Sequence, residues 1–411
     1  MKPETQTHPT RITLALLLAA VAVSAKADAI TDWNLKSGQI VVESRLGTPP
    51  AIRVMAVVQT AAYDAVNAIT RRYPTPRMHA ESAPGASVDA AVAAAHRATL
   101  AKFLPAQQAA IETAYQAALA MIAEGPEKSA GIAVGEKAAA AVIAARADDG
   151  AAVAEAYRPH TTAGAYVPTA TPAVPQWPQR RPWLMASASQ FRPGPPPALT
   201  SDTWVHDYNE VKALGTKQSA RRDKEQTEIA RFWEFSLPPI YYGVVRSVAD
   251  APAREVTQNA RLFATVAQAM DDAMISVFDA KYHYNFWRPA TAIRNGDVDG
   301  NDATDRDATW TPLIDTPMHP EYPSAHSILA SAVGVVLLAE LGEGSMPVLT
   351  TSSPTANGAS RRWARIDDFT REVSLARIYE GVHYRTSTEV GDAMGKRIGD
   401  LAVTSHLRMP R

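Results

Sequence analysis

Three short stretches in the last third of the chain gather the residues best suited to chemistry. In "KYHYNFWRP", Lys281 and Arg288 stand seven positions apart and Pro289 follows. Seven residues is close to two helical turns, so both cations are expected on one face, with Pro289 ending that helix near Arg288. Two such cations without an intervening acid repel each other, and they make sense around an anion. A solvated basic stripe would carry the same charge. Tyr282, Tyr284, Phe286 and Trp287 make the segment too aromatic for that.

The second stretch, "YPSAHS", runs into the apolar "ILASAVGVVLLAELG". Ser324 is expected to cap this helix, leaving the N–H groups of Ala325 and His326 unpaired at its positive end. Such an end attracts oxyanions. The third stretch, "ARIYEGVHYR", holds Arg377 and His383. On a continuous helix they would lie roughly 240° apart. They converge only if the helix stops between them, and Gly381 is well placed to stop it.

Together these stretches offer a lysine, two arginines, a serine hydroxyl, helix N–H groups and two histidines. That inventory suits a tetrahedral oxyanion. It suits a divalent cation badly, because three cations would repel the metal and no carboxylate cluster accompanies them. A serine hydrolase is disfavoured too, since "PSAHS" lacks the G-x-S-x-G elbow and its strand-to-helix setting.

The elements that must position these groups read as helices. The chain has 411 residues, 46% hydrophobic and 20% charged, which describes a globular protein with one large helical body or two lobes. Helical periodicity runs over Asp202–Phe232, Arg254–Asn285, Ser327–Leu341, Asp367–Tyr379 and Ser387–Ser405, after several Ala-rich helices in the first third. No useful stretch alternates with period two. The expected fold is therefore all-α, a large helical bundle with a Pro-rich extended segment. Residues 150–200 supply that segment, with ten prolines among Tyr166, Trp177 and Trp183. Proline at this density breaks helices, and so many aromatics argue for an ordered wrap rather than a linker.

Residues 1–27 read as an export signal: Lys2 and Arg11, the apolar run Ile12 to Val23, then Ala25-Lys26-Ala27 before Asp28. The expected layout is a signal at 1–27, a helical half at 28–149, the wrap at 150–200, and a second helical half at 201–411 carrying the oxyanion site. The product would be periplasmic or secreted, with no membrane span. A net charge of −1 without a basic run argues against nucleic acid as partner. Zero cysteines exclude disulfides, cysteine zinc sites and thiol nucleophiles. Ala-rich helical surfaces are compatible with a homodimer.

The order K-x6-R-P, P-S-x-H, R-x5-H resembles the superfamily joining vanadium-dependent haloperoxidases with type 2 phosphatidic acid phosphatases and bacterial acid phosphatases. The resemblance implies a helical core over most of the chain. It implies His383 as the vanadate ligand, or as the nucleophile that forms a phosphohistidine. Lys281, Arg288, Arg377, the Ser324 hydroxyl and the Ala325 N–H would hold oxygens, with His326 as the acid–base group. The implied cofactor is vanadate, with hydrogen peroxide and halide as reactants; a phosphatase would need none and would take a phosphomonoester. Length, the wrap and the aromatic first motif lean towards the haloperoxidases. His319 falls where bromide-oxidising members carry a histidine. A non-catalytic oxyanion-binding protein is the third reading, and His326 argues against it. The chain departs from the family at Ala325, Ala376 and Ser387, where glycine, serine and aspartate are frequent.

Two acidic features have plainer readings. Asp271, Asp272 and Asp279 are expected to pair with Arg or Lys. The loop Asp297–Asp307 resembles a calcium loop but lacks the twelfth-position glutamate of an EF-hand, which favours a solvated loop.

Overall fold

The computed structural model describes residues 28–74, 83–252 and 254–407. The expected export signal lies outside these residues. The first helical group is α1 (Ala29–Glu43), α2 (Thr48–Thr70), α3 (Val88–Phe103), α4 (Gln108–Ala120) and α5 (Pro126–Ala145). After the wrap come α6 (Asp202–Leu214), α7 (Lys224–Trp233), α8 (Pro239–Ala249), α9 (Val256–Tyr284) and α10 (Pro289–Arg294). The chain finishes with α11 (Ala325–Leu341), α12 (Ile366–Tyr379) and α13 (Arg385–His406). A single antiparallel hairpin, β1 (Leu349–Ser352) with β2 (Ser360–Trp363), is the only sheet among the described residues. The protein is all-α, as its periodicity indicates.

Helix α9 is the axis of the bundle. A reciprocal cap between Glu255 and Gln258 starts it, and buried positions then run from Thr257 to Lys281 around its circumference. Helices α2, α11 and α13 pack on it. One apolar cluster joins Ile30 and Met55 of the first group to Phe263, Leu329 and Ile398 of the second. Helices α11 and α13 meet at backbone distance. A Cβ on Gly391 would lie 2.6 Å from the Ser324 carbonyl oxygen, and one on Gly395 would lie 2.3 Å from that of Ile328. This seats the start of α13 beside the start of α11, where the second and third motifs must meet.

Several elements differ from the sequence reading. The expected helix over Asp202–Phe232 is two helices, because α6 stops at Leu214 and Asp223 caps α7 with Gln226. Helices α1, α8 and α10 and the hairpin were not anticipated. Strands of four residues are too short to show an alternating pattern.

The Pro-rich segment is ordered and laced to α9. Arg180 donates to both oxygens of Asp271 (2.6 and 2.9 Å), and Arg192 grips Asp279. Asp272 departs from the expected cation pairing: its carboxylate accepts the backbone N–H groups of Trp183, Leu184 and Met185 at 2.7–3.0 Å. A Pro-rich stretch has no partners of its own for these donors, so a buried carboxylate supplies them. Further on, Tyr166 N–H reaches the Asn285 carbonyl and Ala173 N–H the Met318 carbonyl. The wrap therefore braces the segments that carry the first and second motifs. In the acidic loop, Asp299 is buried and accepts from the Trp204 indole and the Thr304 hydroxyl.

Asp272→Ala removes the acceptor shared by three backbone donors of the wrap and should cost about 3 kcal/mol of stability. Limited proteolysis should then cut within residues 150–200 before the helices. A wrap as resistant as the parent's would contradict its anchoring by Asp272.

Candidate functional site

Lys281 lies on the last turn of α9 and is fully buried. Its ammonium donates to the carbonyls of Pro320 (3.1 Å), Glu321 (2.7 Å) and Pro323 (2.6 Å). Burial first, then the nearby Arg288, pushes its pKa well down. Three short bonds to carbonyl acceptors nonetheless suit an ammonium and not a neutral amine. Lys281 thus holds the segment leading into α11.

The helix does not reach Arg288. It ends at Tyr284, with Asn285 left-handed at φ 50°, and Pro289 keeps Arg288 extended. The two cations converge through this reversal of the chain, not through a shared helical face. The Arg288 guanidinium is also fully buried. It donates to the carbonyls of His319 (2.9 Å) and Val382 (2.7 Å), to His319 Nδ1 (2.9 Å), and lies 3.3 Å from His383 Nε2. His319 packs its ring against Phe278, centroids 5.0 Å apart.

Ser324 caps α11 as its position implies. Its Oγ accepts from the Ser327 N–H at 3.4 Å and the Ser327 hydroxyl at 3.1 Å, which leaves its own hydrogen to donate. The N–H groups of Ala325 and His326 occupy the first turn, where a helix offers no acceptor. His326 is buried, and its Nε2 has no partner among the described residues. Burial, then Arg377 and Lys281, pushes the imidazole well below its usual pKa, so it is neutral at neutral pH.

The third motif folds as its spacing requires. Helix α12 ends at Tyr379, Gly381 takes φ +77°, and the chain turns so that Arg377 and His383 face the same pocket. Gly381 packs against Gly215 at the end of α6, where a Cβ on either would sit 2.4 Å from the other's backbone. His383 bonds through Nδ1 to Glu321 Oε1 at 2.6 Å, and that oxygen also accepts the Tyr384 N–H at 3.1 Å. Ser387 Oγ stands farther away, at 3.4 Å from Nδ1. The carboxylate fixes the proton on Nδ1 and leaves the Nε2 lone pair towards Arg288. Burial, then the three cations, keeps His383 well below its usual pKa.

Two buried carboxyls escaped the sequence reading. Glu321 stands three residues before Ser324 in a loop, where no spacing rule would single it out. Burial raises its pKa to about 7 while Arg288 and Lys281 draw it down. Glu380 forms an ion pair with Arg377 and has no other partner among the described residues. Burial raises it to about 8 against the downward pull of Arg377. Its i, i+3 spacing from Arg377 was a usable signal. Arg377 also donates to the Trp233 carbonyl at 3.3 Å, and its Nε is unpartnered among the described residues.

Seven of the eight anticipated residues are therefore buried in one region, and the half-buried His319 joins them through Arg288. The donors that remain open are the Ser324 hydroxyl, the Ala325 N–H and the Arg377 Nε. The open acceptors are His383 Nε2, which faces only the longer 3.3 Å contact to Arg288, and His326 Nε2. Among the described residues, no group of three or more His, Asp or Glu side chains is arranged to hold a metal cation. No described helix is long and apolar enough to cross a membrane.

Comparison with known proteins bears on the fold and on part of the chain. Residues 261–410 match the family model of the VCPO second helical-bundle domain. A stretch of 182 residues is 30% identical to vanadium chloroperoxidase of Curvularia inaequalis, covering 36% of this chain. The chain spans 29% of that relative's length. The crystal structure of the first bacterial vanadium-dependent iodoperoxidase superposes with a TM-score of 0.78 at 24% identity, over 92% of this chain and 95% of that one. An apo-type bacterial vanadium-dependent chloroperoxidase gives 0.67 at 18% identity, over 87% and 92%. At these identities the structural likeness establishes a common helical-bundle fold.

A carboxyl held near 8 in the fold, against an ordinary 4.5, favours the fold while protonated. That advantage is complete below about pH 4.5 and is lost as pH climbs through about 8. Glu380→Gln keeps the shape without the titration. Its melting temperature relative to the parent should rise between about pH 4.5 and 8 and level off above that. A difference that stays flat with pH would contradict the assignment.

Proposed function

From the chain's kinship with the vanadium haloperoxidases, we propose that it binds vanadate at His383 and oxidises halide with hydrogen peroxide, bromide being favoured. The observation that carries the proposal is the Glu321–His383–Arg288 relay, which leaves an Nε2 lone pair in a pocket of buried cations. The donor set fits the group. An oxyanion can take the Ser324 hydroxyl, the Ala325 N–H and Arg377 without displacing any bond except the Glu380 pair. Lys281 would reach it only by giving up one of its carbonyls. It otherwise acts by charge and by holding the 320–323 segment in place.

Vanadate held here would supply a Lewis-acid centre that activates hydrogen peroxide towards halide. The overall reaction consumes halide, peroxide and a proton, and yields hypohalous acid and water. Glu321 keeps the His383 proton on Nδ1, so Nε2 is always available as a ligand. The cations offset the charge that the oxyanion brings and the charge that develops on oxygen during reaction. His326, neutral and with Nε2 open, accepts the proton that incoming peroxide must lose. His319, fixed by Arg288, would stand beside the halide. An exported location is proposed from residues 1–27.

The test assays the purified protein in parallel arms. Vanadate-dependent oxidation of bromide or iodide by peroxide supports the proposal. Hydrolysis of a phosphomonoester without vanadate, inhibited when vanadate is added, would replace it with phosphohistidine chemistry on the same residues. His383→Ala should abolish activity, and full retention would discard the site. His326→Ala should lower kcat by roughly 10²–10⁴-fold with vanadate still bound. Glu321→Gln should weaken vanadate binding by about 10–100-fold. An unchanged Kd for that variant would show that Glu321 does not orient the ligand.

A further inference from the structure

A cavity of about 830 Å³ counts Arg288, but not His383, among its lining residues and belongs to no step described so far. Its volume falls within the range of small-molecule sites, roughly 300–1,000 Å³. Arg288 and Trp287 belong to its lining although both are buried, and Arg288 lies 3.3 Å from His383 Nε2. A molecule seated there is one side chain away from the reacting centre. The Pro-rich wrap contributes Tyr166 to one wall, so the cavity exists only because that segment is held down.

The lining combines three characters. Trp287, Tyr166 and Met318 are aromatic or apolar, and Met318 stays 39% exposed at the rim. The Trp287 indole N–H is buried and has no acceptor among the described residues. Two exposed cations, Lys217 and Arg294, face one acid, Asp315, and none of the three forms an ion pair among the described residues. With the buried Arg288 beside them, the lining carries more positive than negative charge. An apolar body with an anionic end fits this distribution, while a cationic or purely polar molecule does not.

We propose that this cavity is the subsite for the organic acceptor and that it takes a small electron-rich aromatic carboxylate. The ring lies against Trp287 and Met318, and the carboxylate pairs with Lys217 and Arg294. The proposal rests on the haloperoxidase reading for its chemistry and on the cavity alone for its binding. In the transfer, a ring carbon supplies the electron pair of the new carbon–halogen bond to hypohalous acid. The oxygen–halogen bond breaks towards oxygen, and the hydroxide so formed takes the displaced ring proton as water. The organic product is the aryl halide, and no further oxidant is consumed.

Binding is measured first, on the full chain without vanadate, by titrating 4-hydroxybenzoate and phenol calorimetrically. The carboxylate should bind at least about tenfold tighter than phenol, as two cation contacts would give. Lys217→Glu, and separately Lys217→Glu with Arg294→Glu, should each raise the Kd for 4-hydroxybenzoate, the pair by about tenfold or more. Lys217 makes no side-chain hydrogen bond or ion pair among the described residues, so its single variant guards against a folding defect in the pair. Vanadate binding and acceptor-free halide oxidation should match the parent in both variants. Equal affinity for the two probes, or a Kd that ignores both variants, overturns the subsite. Failure of halide oxidation in the parent overturns the proposed function instead, and the binding titration still decides the subsite.

Discussion

Three buried cations in one pocket are the constraint on which the rest of this structure depends. Lys281, Arg288 and Arg377 are each at most 2% exposed. Removing a charge from water costs several kcal/mol, so each must find partners inside the protein. Lys281 finds loop carbonyls, Arg288 finds carbonyls and two imidazoles, and Arg377 finds Glu380. These partners are also the segments that form the site. The same bonds that make the cations tolerable fix residues 319–324 and 380–383 against the end of α9. A bound oxyanion would complete the compensation that two raised carboxyls supply only in part.

The histidines read the same field in different ways. His383 is oriented by Glu321 from outside the pocket and presents a lone pair inward. His326 is left neutral with an open nitrogen. One is arranged to bind and the other to move a proton, although both are buried imidazoles beside arginines. The difference lies in a single carboxylate, which accompanies His383 and not His326. Ser387 lies farther from Nδ1, at 3.4 Å, than Glu321 at 2.6 Å, so the carboxylate that orients His383 comes from another part of the chain.

Much of this was legible in the chain itself, for reasons that differ by element. Ser324 and Gly381 announce their roles because caps and left-handed turns select residue types locally. Lys281, Arg288 and Arg377 stand out because uncompensated charge among aromatics needs a cause. Glu321 and Glu380 did not stand out: an acid near basic residues looks like an ordinary ion-pair partner until burial is known. The convergence of Arg288 was anticipated for the wrong reason, since a left-handed Asn285 reverses the chain there. The wrap was legible as ordered, but Asp272 as the acceptor of its backbone was not. That role depends on a tertiary contact 87–89 residues away in sequence.

The account's central claim is that His383 Nε2 is the point of attachment for a tetrahedral oxyanion. A crystal soaked in orthovanadate, with anomalous diffraction recorded at the vanadium edge, tests it directly. The account predicts one vanadium peak at bonding distance from His383 Nε2, with oxygens on Ser324, the Ala325 N–H and Arg377. A peak elsewhere, or an empty pocket at saturating vanadate with Arg377 still paired to Glu380, would contradict it.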